Sequence, residues 1–195
     1  LLQLTHRNFV RAGAALDADT KTKVAAINSE MSELTTQFAQ NLLRATKSFK
    51  IEITEEADVV GLTDNFKTSI WDEDKQAWVV TLDRSVYETF MTQSQNRDLR
   101  KRAFNGYRLR ATEGDTDNGP LAIKIAQLRA KRAALLGYDN HAQYILEYNM
   151  ARTPAGVEEF LLKVWEPGLA RAKEERSDMQ AMIGDRFTFA GHDWW

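Results

Sequence analysis

Few residues of this chain could take part in metal or nucleophilic chemistry. There are three histidines, His6, His141 and His192, and cysteine is absent. No two histidines lie four residues apart, so the pair of imidazoles on one helix face that an HExxH zinc helix requires is missing. Without cysteine, a thiolate zinc site, a disulfide framework and a cysteine nucleophile are excluded. The sequence itself therefore predicts no catalytic, cofactor-binding or metal-binding residue within residues 1–195.

Acidic residues occur in adjacent runs, at 55–56, 72–74 and 174–175. Neighbouring residues on a helix do not face each other, and neighbouring residues on a strand point to opposite sides. Neither arrangement brings two carboxylates together as a general acid and base. These runs are typical of solvated surface.

The segment 96–111 is the strongest cationic feature. It carries a single acid, Asp98, among Arg97, Arg100, Lys101, Arg102, Arg108 and Arg110, and its apolar residues Leu99, Ala103, Phe104 and Tyr107 have helical spacing. A solvated basic helix face is the favoured interpretation, and contact with phosphate or an acidic peptide is the alternative. The whole chain has 26 basic and 28 acidic residues, a net charge of −2, which argues against a surface built for nucleic acid.

Residues 17–49 show the clearest periodicity in the chain. Asp17 is placed to cap the start of a helix. Apolar residues then follow at steps of three and four, which predicts one buried face along a long helix: Val24, Ile27, Met31, Leu34, Phe38, Leu42, Ala45 and Phe49. A core-facing helix of a bundle is favoured over a coiled-coil seam, because the spacing departs from a strict heptad between Phe38 and Leu42.

Two segments alternate between apolar and polar residues, at 49–54 and 77–82. Such alternation predicts strands with one buried face. The two segments are expected to form a small antiparallel ribbon on an otherwise helical body.

The rest of the chain predicts further helices, so the fold class is mainly α, a long-helix bundle with a small ribbon. After Ser85 the apolar face is Tyr87, Phe90 and Met91, and Gly137 is the expected stop of a helix over 121–136. A short helix follows at 141–150. Thr153 and Pro154 begin another helix, whose inward residues are expected to be Val157, Phe160, Leu161 and Val164. Pro167 and Gly168 are expected to break it before a last helix over 169–183.

The length of 195 residues suits a single helical segment, and no apolar run reaches the ~18 residues of a membrane span. The chain begins at Leu1 and ends on Trp194 and Trp195, which favours a segment of a longer protein. Helices taken from a larger body keep apolar faces meant for absent partners. We therefore expect a large exposed apolar patch that includes the two tryptophans, or a dimer that covers it.

Several phrases, in order along the chain, resemble the thimet oligopeptidase family of zinc peptidases. They are residues 9–16 (FVRAGAAL), 34–46 (LTTQFAQNLLRAT), 90–92 (FMT), 96–100 (NRDLR), 125–138 (IAQLRAKRAALLGY), 150–154 (MARTP) and 193–194 (DW). The bacterial peptidyl-dipeptidase (dipeptidyl carboxypeptidase) branch is the most similar, and oligopeptidase A is next.

The resemblance implies a large helical protein whose two lobes enclose a channel for short peptides. It also implies a zinc ion held by the two histidines of an HExxH helix and a later glutamate. None of those ligands has a counterpart among residues 1–195. The resemblance therefore implies zinc in the full-length parent but assigns no catalytic, cofactor-binding or metal residue to this chain.

From this resemblance we expect a non-catalytic scaffold segment of a zinc metallopeptidase, inactive alone, whose parent releases C-terminal dipeptides from short peptides. Its partners would be those substrates and the catalytic lobe of the same chain, with no nucleic acid and no membrane. The alternatives are a segment of an oligopeptidase A-like endopeptidase and a stand-alone helical binding module with a basic face. The expected compartment is the cytoplasm, with the periplasm as the alternative.

Overall fold

The computed structural model describes all of residues 1–195 and confirms the mainly α class with a small antiparallel sheet. The helices are α1 (Leu2–Arg11), α2 (Ala18–Ser48), α3 (Asp64–Ser69), α4 (Arg84–Gln93), α5 (Arg97–Arg108), α6 (Gly119–Leu135), α7 (His141–Leu146) and α8 (Pro154–Ile183). The strands are β1 (Ile51–Ile53), β2 (Trp71–Asp72) and β3 (Ala77–Val80), and short 3₁₀ turns lie at Glu56–Val59, Gly114–Thr116, Gly184–Arg186 and Gly191–Asp193.

The chain divides into two compact units. One unit comprises residues 1–38 and 119–175, and the other comprises residues 39–118 and 176–195. Each unit therefore takes chain from both halves of the sequence.

The sheet lies in the second unit, with strand order β1-β3-β2 and antiparallel pairing throughout. Ile51 pairs with Val80, and both are fully buried, as the alternating pattern predicts. The two predicted strands are confirmed in shorter form. Strand β2 was not predicted; in it Trp71 lies opposite Trp78, with the ring centroids 5.1 Å apart.

The core of the second unit joins this sheet to α4 and α5. Tyr87, Phe90 and Met91 are all buried, so the predicted inward face of α4 is confirmed. The core residues are Ile51, Ile53, Val59, Leu62, Phe66, Ile70, Val80, Leu82, Tyr87, Phe90, Met91 and Ala103.

Helix α2 begins where its sequence predicts. Asp17 Oδ1 accepts a hydrogen bond from the backbone N–H of Thr20 at 2.9 Å, which satisfies one of the unpaired donors at the helix start. Val24 is buried and the other residues of the predicted apolar face are partly buried, whereas Lys21 and Glu30 on the opposite side are exposed. In α6 the buried residues include Ile125 and Leu128, and Gly137 follows the helix with a φ of +85°, as expected for its stop.

Helix α8 corrects two predictions. It continues through Pro167 and Gly168 as one helix of 30 residues, so the predicted break is wrong. A proline removes one hydrogen bond of the helix without forcing it to end. The helix has no buried residue, and Phe160, Leu161 and Val164 are exposed, so their predicted inward packing is also wrong. Helical spacing correctly identified an apolar face, but spacing does not determine what covers that face.

No helix in the structure combines the length and the apolar character that a membrane span requires.

Substitution of two helical glycines by alanine is expected to change the stability of the protein in opposite directions. A Cβ added at Gly106 in α5 would lie 2.2 Å from Cε2 of Phe49, whereas a Cβ at Gly168 in α8 would meet nothing within 4 Å. Gly168→Ala is expected to raise the free energy of unfolding by up to ~1 kcal/mol through helix propensity. Gly106→Ala is expected to lower it by about 1–2 kcal/mol, because the packed ring must move. Urea unfolding of both variants measures these changes, and a stabilising Gly106→Ala would contradict the close packing of Phe49 against Gly106.

Candidate functional site

The turn at Gly191–Asp193 places the carboxylate of Asp193 against two arginines of α5. Arg97 binds it with two hydrogen bonds, from Nε to Oδ1 at 3.0 Å and from Nη2 to Oδ2 at 2.9 Å. Arg100 Nη2 donates to Oδ1 at 3.3 Å, and the backbone N–H of Ala190 donates to Oδ2 at 3.0 Å. The Asp193 side chain is only 4% exposed. We call Arg97, Arg100, His192 and Asp193 the Asp193 cluster.

The local sequence explains how α5 presents both arginines. Asn96 caps the helix, with its Oδ1 accepting a hydrogen bond from the backbone N–H of Leu99 at 3.0 Å. Residues three apart on a helix share a face, so Arg97 and Arg100 point to the same side. Gly191 allows the turn to approach, because a Cβ there would lie 2.7 Å from Cζ of Phe104.

The same arginines bind the backbone around the turn. Arg97 Nη2 donates to the carbonyl oxygen of Thr188 at 3.0 Å, and its guanidinium lies 4.1 Å from the ring centre of Phe187. Arg100 donates to the carbonyl oxygens of Ser94 at 2.8 Å and His192 at 3.3 Å. The two side chains thus attach the segment 187–195 to α5.

Electrostatics favour the ionised form of Asp193. Burial alone would raise the pKa of its carboxyl group, but the hydrogen bonds from Arg97 and the Ala190 N–H outweigh burial and hold the pKa below the ordinary 3.8. In turn, the hydrogen bond to Asp193 raises the pKa of Arg97. Asp193 and Arg97 therefore form an ion pair that persists at neutral pH.

His192 is buried beside this pair but makes no hydrogen bond through Nε2, which lies 3.8 Å from Asp193 Oδ2. Burial lowers the pKa of His192; Asp193 opposes that shift, while the nearby cations, chiefly Arg97 and Lys101, add to it. The imidazole is consequently neutral at pH 7. Its ring lies among cations and the aromatic ring of Phe104, with a centroid distance of 6.3 Å.

The cluster also corrects the interpretation of 96–111 as a solvated basic face. Arg97 and Arg100 bind Asp193, and Arg110 lies over the ring of Tyr107 at 3.7 Å. The remaining cations, Lys101, Arg102 and Arg108, are exposed. Arg102 and Arg110 line a groove of about 510 Å³ together with Ser48, Phe49, Asn105 and Glu113.

The histidines do not fit a zinc site. No group of three or more His, Cys, Asp or Glu side chains in residues 1–195 could hold a metal ion. His6 is exposed. Burial and the cations Arg129 and Arg132 lower the pKa of His141, and cations likewise surround His192. Such positive surroundings oppose a divalent cation.

A second polar cluster attaches α1 to α7. Arg11 Nε binds Glu147 Oε2 at 3.0 Å, and its Nη2 donates to the carbonyl oxygen of Tyr144. The Tyr138 hydroxyl donates to the same Glu147 oxygen at 2.6 Å. Burial, followed by the bond to Glu147, raises the pKa of Tyr138, so the hydroxyl keeps its proton and remains a donor. Arg7 lies 4.1 Å from the ring centre of Tyr148.

Helix α1 has no buried residue, so this cluster is expected to dominate its attachment. Arg11→Ala should lower the free energy of unfolding by about 1 kcal/mol, because it removes two hydrogen bonds at a partly exposed site. Amide exchange over Leu2–Arg11 should accelerate more than exchange elsewhere. Lys21→Ala, at an exposed position on α2, is the control. Equal exchange over α1 in both variants would contradict this role for Arg11.

Sequence reasoning did not identify either cluster. Asp193 and the pair Arg97 and Arg100 occur in two of the phrases that carry the family resemblance, but nothing in their spacing joins them. The only signal in the sequence was that one acid and two cations of one helix face occur in phrases that resemble the family. Trp194 and Trp195, expected in an exposed patch, are each about half exposed. Trp194 packs edge-on against Phe189, and Trp195 against Tyr87.

The Asp193 cluster has the chemistry of a positioning element. Its carboxylate is buried and accepts four hydrogen bonds, and Nε2 of its imidazole forms no hydrogen bond to a hydroxyl that it could activate. That no catalytic or metal-binding residue lies in this chain stays a prediction.

Comparison with known proteins identifies the group to which the chain belongs. The family model described as "Peptidase family M3" matches residues 90–195. The chain is 30% identical to "Probable cytosolic oligopeptidase A" of Arabidopsis thaliana, over 91% of this chain and 27% of that protein. It is 27% identical to "Dipeptidyl carboxypeptidase" of Escherichia coli, over 100% of this chain and 30% of that protein.

"Oligopeptidase A" of Salmonella typhimurium is 28% identical, over 93% of this chain and 28% of that protein. The chain thus spans about three tenths or less of the length of these curated relatives. The resemblance to peptidyl-dipeptidases and oligopeptidase A is confirmed. Because the family model covers more than half of the chain, including all of the Asp193 cluster, the chain belongs to peptidase family M3.

Proposed function

We propose that residues 1–195 form one helical scaffold segment of a peptidase that hydrolyses short peptides. The observation that carries this proposal is the family match over 90–195, the stretch in which α5 and the turn at Gly191–Asp193 are joined. The segment supplies ordered helices and a buried charged pair. Zinc and the residues that activate water are supplied by polypeptide outside residues 1–195, since the histidines of this chain do not fit a metal.

The test compares the 195-residue chain with the longer peptidase. We expect the chain alone to bind far less than one zinc ion per molecule and to cleave no peptide. The longer protein should bind about one zinc ion and cleave short peptides. Stoichiometric zinc in the chain alone, together with hydrolysis that a chelator abolishes, would contradict the proposal.

For the reaction itself we propose release of C-terminal dipeptides. Support comes from the relatives named dipeptidyl carboxypeptidase, while those named oligopeptidase A, at similar identity, keep internal cleavage as the alternative. A peptide with a free C-terminus and its C-terminal amide distinguish the two. A dipeptide-releasing enzyme should cleave the free acid and largely spare the amide, whereas equal internal cleavage of both would favour the endopeptidase.

The exposed cations of α5 support a second candidate, a module that binds RNA or an acidic peptide. Lys101, Arg102 and Arg108 are exposed, and Arg102 also lines the groove of about 510 Å³. The affinity of such binding should fall as the salt concentration rises, and the fall should be steeper the more of these cations contact a phosphate. Measuring affinity for a short RNA and an acidic peptide in 50 and 200 mM salt tests it. No binding at the lower salt would eliminate this candidate.

We propose a cytoplasmic location. It has support from the relative named a probable cytosolic oligopeptidase A, whereas another relative is named chloroplastic or mitochondrial. Fractionation of cells that express the longer protein tests the compartment. Its recovery outside the cytoplasmic fraction would contradict this location.

A further inference from the structure

Helix α8 carries an apolar face that no part of the structure covers. We define the α8 face as Phe160, Leu161, Val164, Trp165 and Leu169, each of which is at least 36% exposed, with Trp165 at 62%. At about 100° per residue these positions fall within roughly half of the helix circumference. The opposite side is polar, with Lys163 Nζ bound to Glu159 Oε1 at 2.6 Å. Five large apolar side chains on one side exceed the scattered exposure that is ordinary for a protein surface.

Gly168 lies near the middle of this face. Glycine and proline are the two poorest helix formers, and α8 contains both Pro167 and Gly168 in its interior. A Cβ at Gly168 would meet nothing within 4 Å, so nothing inside the structure requires glycine there. A small residue in the middle of an apolar helix face allows another element to approach the backbone closely.

We propose that the α8 face packs against an apolar element of the peptidase that lies outside residues 1–195 and crosses α8 at Gly168. This inference rests on the proposed function, in which the chain is one segment of a longer M3 peptidase. The length of the relatives supports that occupant over a second copy of the chain, since the chain covers only 24% and 30% of the length of two of them. The part of these relatives that lies outside the match is long enough to supply an element that buries the five side chains.

Thiol labelling tests the proposal without disturbing the fold. Residues 1–195 contain no cysteine, so Leu161→Cys on the α8 face and Ala170→Cys on the opposite, exposed side each introduce the one thiol of this segment, and mass spectrometry of the peptide that carries it measures its labelling in either protein. In the 195-residue chain both cysteines should react with maleimide at similar rates. In the longer peptidase Cys introduced at 161 should react about 100-fold more slowly, because reaction requires local opening, while Cys introduced at 170 should keep its rate.

A substitution at Gly168 tests whether the partner element crosses α8 at that residue. In the longer peptidase with Leu161→Cys, Gly168→Met should raise the labelling rate about tenfold, because the added side chain displaces the partner element. Ala170→Met is the size-matched control and should leave the rate unchanged. If Gly168→Met and Ala170→Met change the labelling rate at position 161 equally, the partner element does not cross α8 at Gly168.

Two outcomes would refute the proposal that an element outside residues 1–195 covers the α8 face. Equal labelling at 161 in the chain and in the longer peptidase would mean that the α8 face stays exposed. Protection at 161 in the 195-residue chain that rises with protein concentration would mean that a second copy covers it. Peptide hydrolysis is measured separately on the same longer protein. Protection at 161 without hydrolysis would leave the docking intact and refute the proposed function, and hydrolysis without protection would do the reverse.

Discussion

Asp193→Asn is expected to lower the free energy of unfolding by about 3 kcal/mol at pH 7. The substitution keeps the shape of the side chain but removes the charge that faces Arg97 and Arg100. Removing one partner of a buried ion pair typically costs about 3–5 kcal/mol, since the other charge stays buried without compensation. The lower end of that range applies because the Arg97 side chain is 31% exposed and partly screened by water. Urea unfolding followed by circular dichroism measures the change.

The ion pair of Asp193 with the two arginines should also make the stability of the protein depend on pH. The pKa of Asp193 in the folded protein lies below its ordinary value of 3.8. The ionised carboxylate therefore stabilises the fold above the unfolded-state pKa, and this contribution is lost as the pH falls through the folded-state pKa. Between pH 7 and pH 5 the difference in stability between the wild type and Asp193→Asn should stay constant. Below about pH 4 the difference should shrink.

Asp178→Asn provides the matched control, because it removes the charge of an exposed aspartate on α8. It should change the free energy of unfolding by less than ~0.5 kcal/mol. A loss for Asp193→Asn no larger than that of the control, or a difference that grows on acidification, would contradict the buried pair described above.

Periodic segments were predictable from the sequence. The apolar faces of α2, α4 and α6 follow helical spacing, and Asp17 and Gly137 mark helix ends by local backbone chemistry. The elements missed are α1, which has ten residues, and the shorter β2 and α3. Strand β2 has two residues and α3 has six, too few for a period to emerge. Such elements form because neighbouring structure pairs with them, as Trp71 does with Trp78.

The Asp193 cluster was beyond local reasoning for a different physical reason. Arg97 and Asp193 are 96 residues apart in the chain, and an ion pair at that separation leaves no periodic trace. A cation on a helix has the same sequence pattern whether it faces water or a buried carboxylate. The basic stretch 96–111 was therefore interpreted as one surface, although two of its arginines bind Asp193.

A matched pair of phenylalanines gives the largest contrast expected in this chain. Phe90 in α4 is fully buried, and Phe160 in α8 is 66% exposed, although helical spacing predicts both as inward. Phe90→Ala should lower the free energy of unfolding by about 3–5 kcal/mol, because it removes a core side chain and leaves a cavity. Phe160→Ala should lower it by less than ~0.5 kcal/mol in the 195-residue chain. Urea unfolding of both variants, in parallel with the wild type, measures the contrast.

The comparison of Phe90→Ala with Phe160→Ala shows whether an apolar helix face is covered by other parts of the protein, which helical spacing alone does not determine. If Phe160→Ala costs the 195-residue chain as much as Phe90→Ala, the α8 face is covered within the chain or by a second copy, and its exposure in the monomer is wrong. In the longer peptidase, a covered α8 face should raise the cost of Phe160→Ala to about 2 kcal/mol or more, while the cost of Phe90→Ala stays the same. An unchanged small cost there would argue that α8 remains an exposed helix, with an apolar side that no other part of the protein contacts.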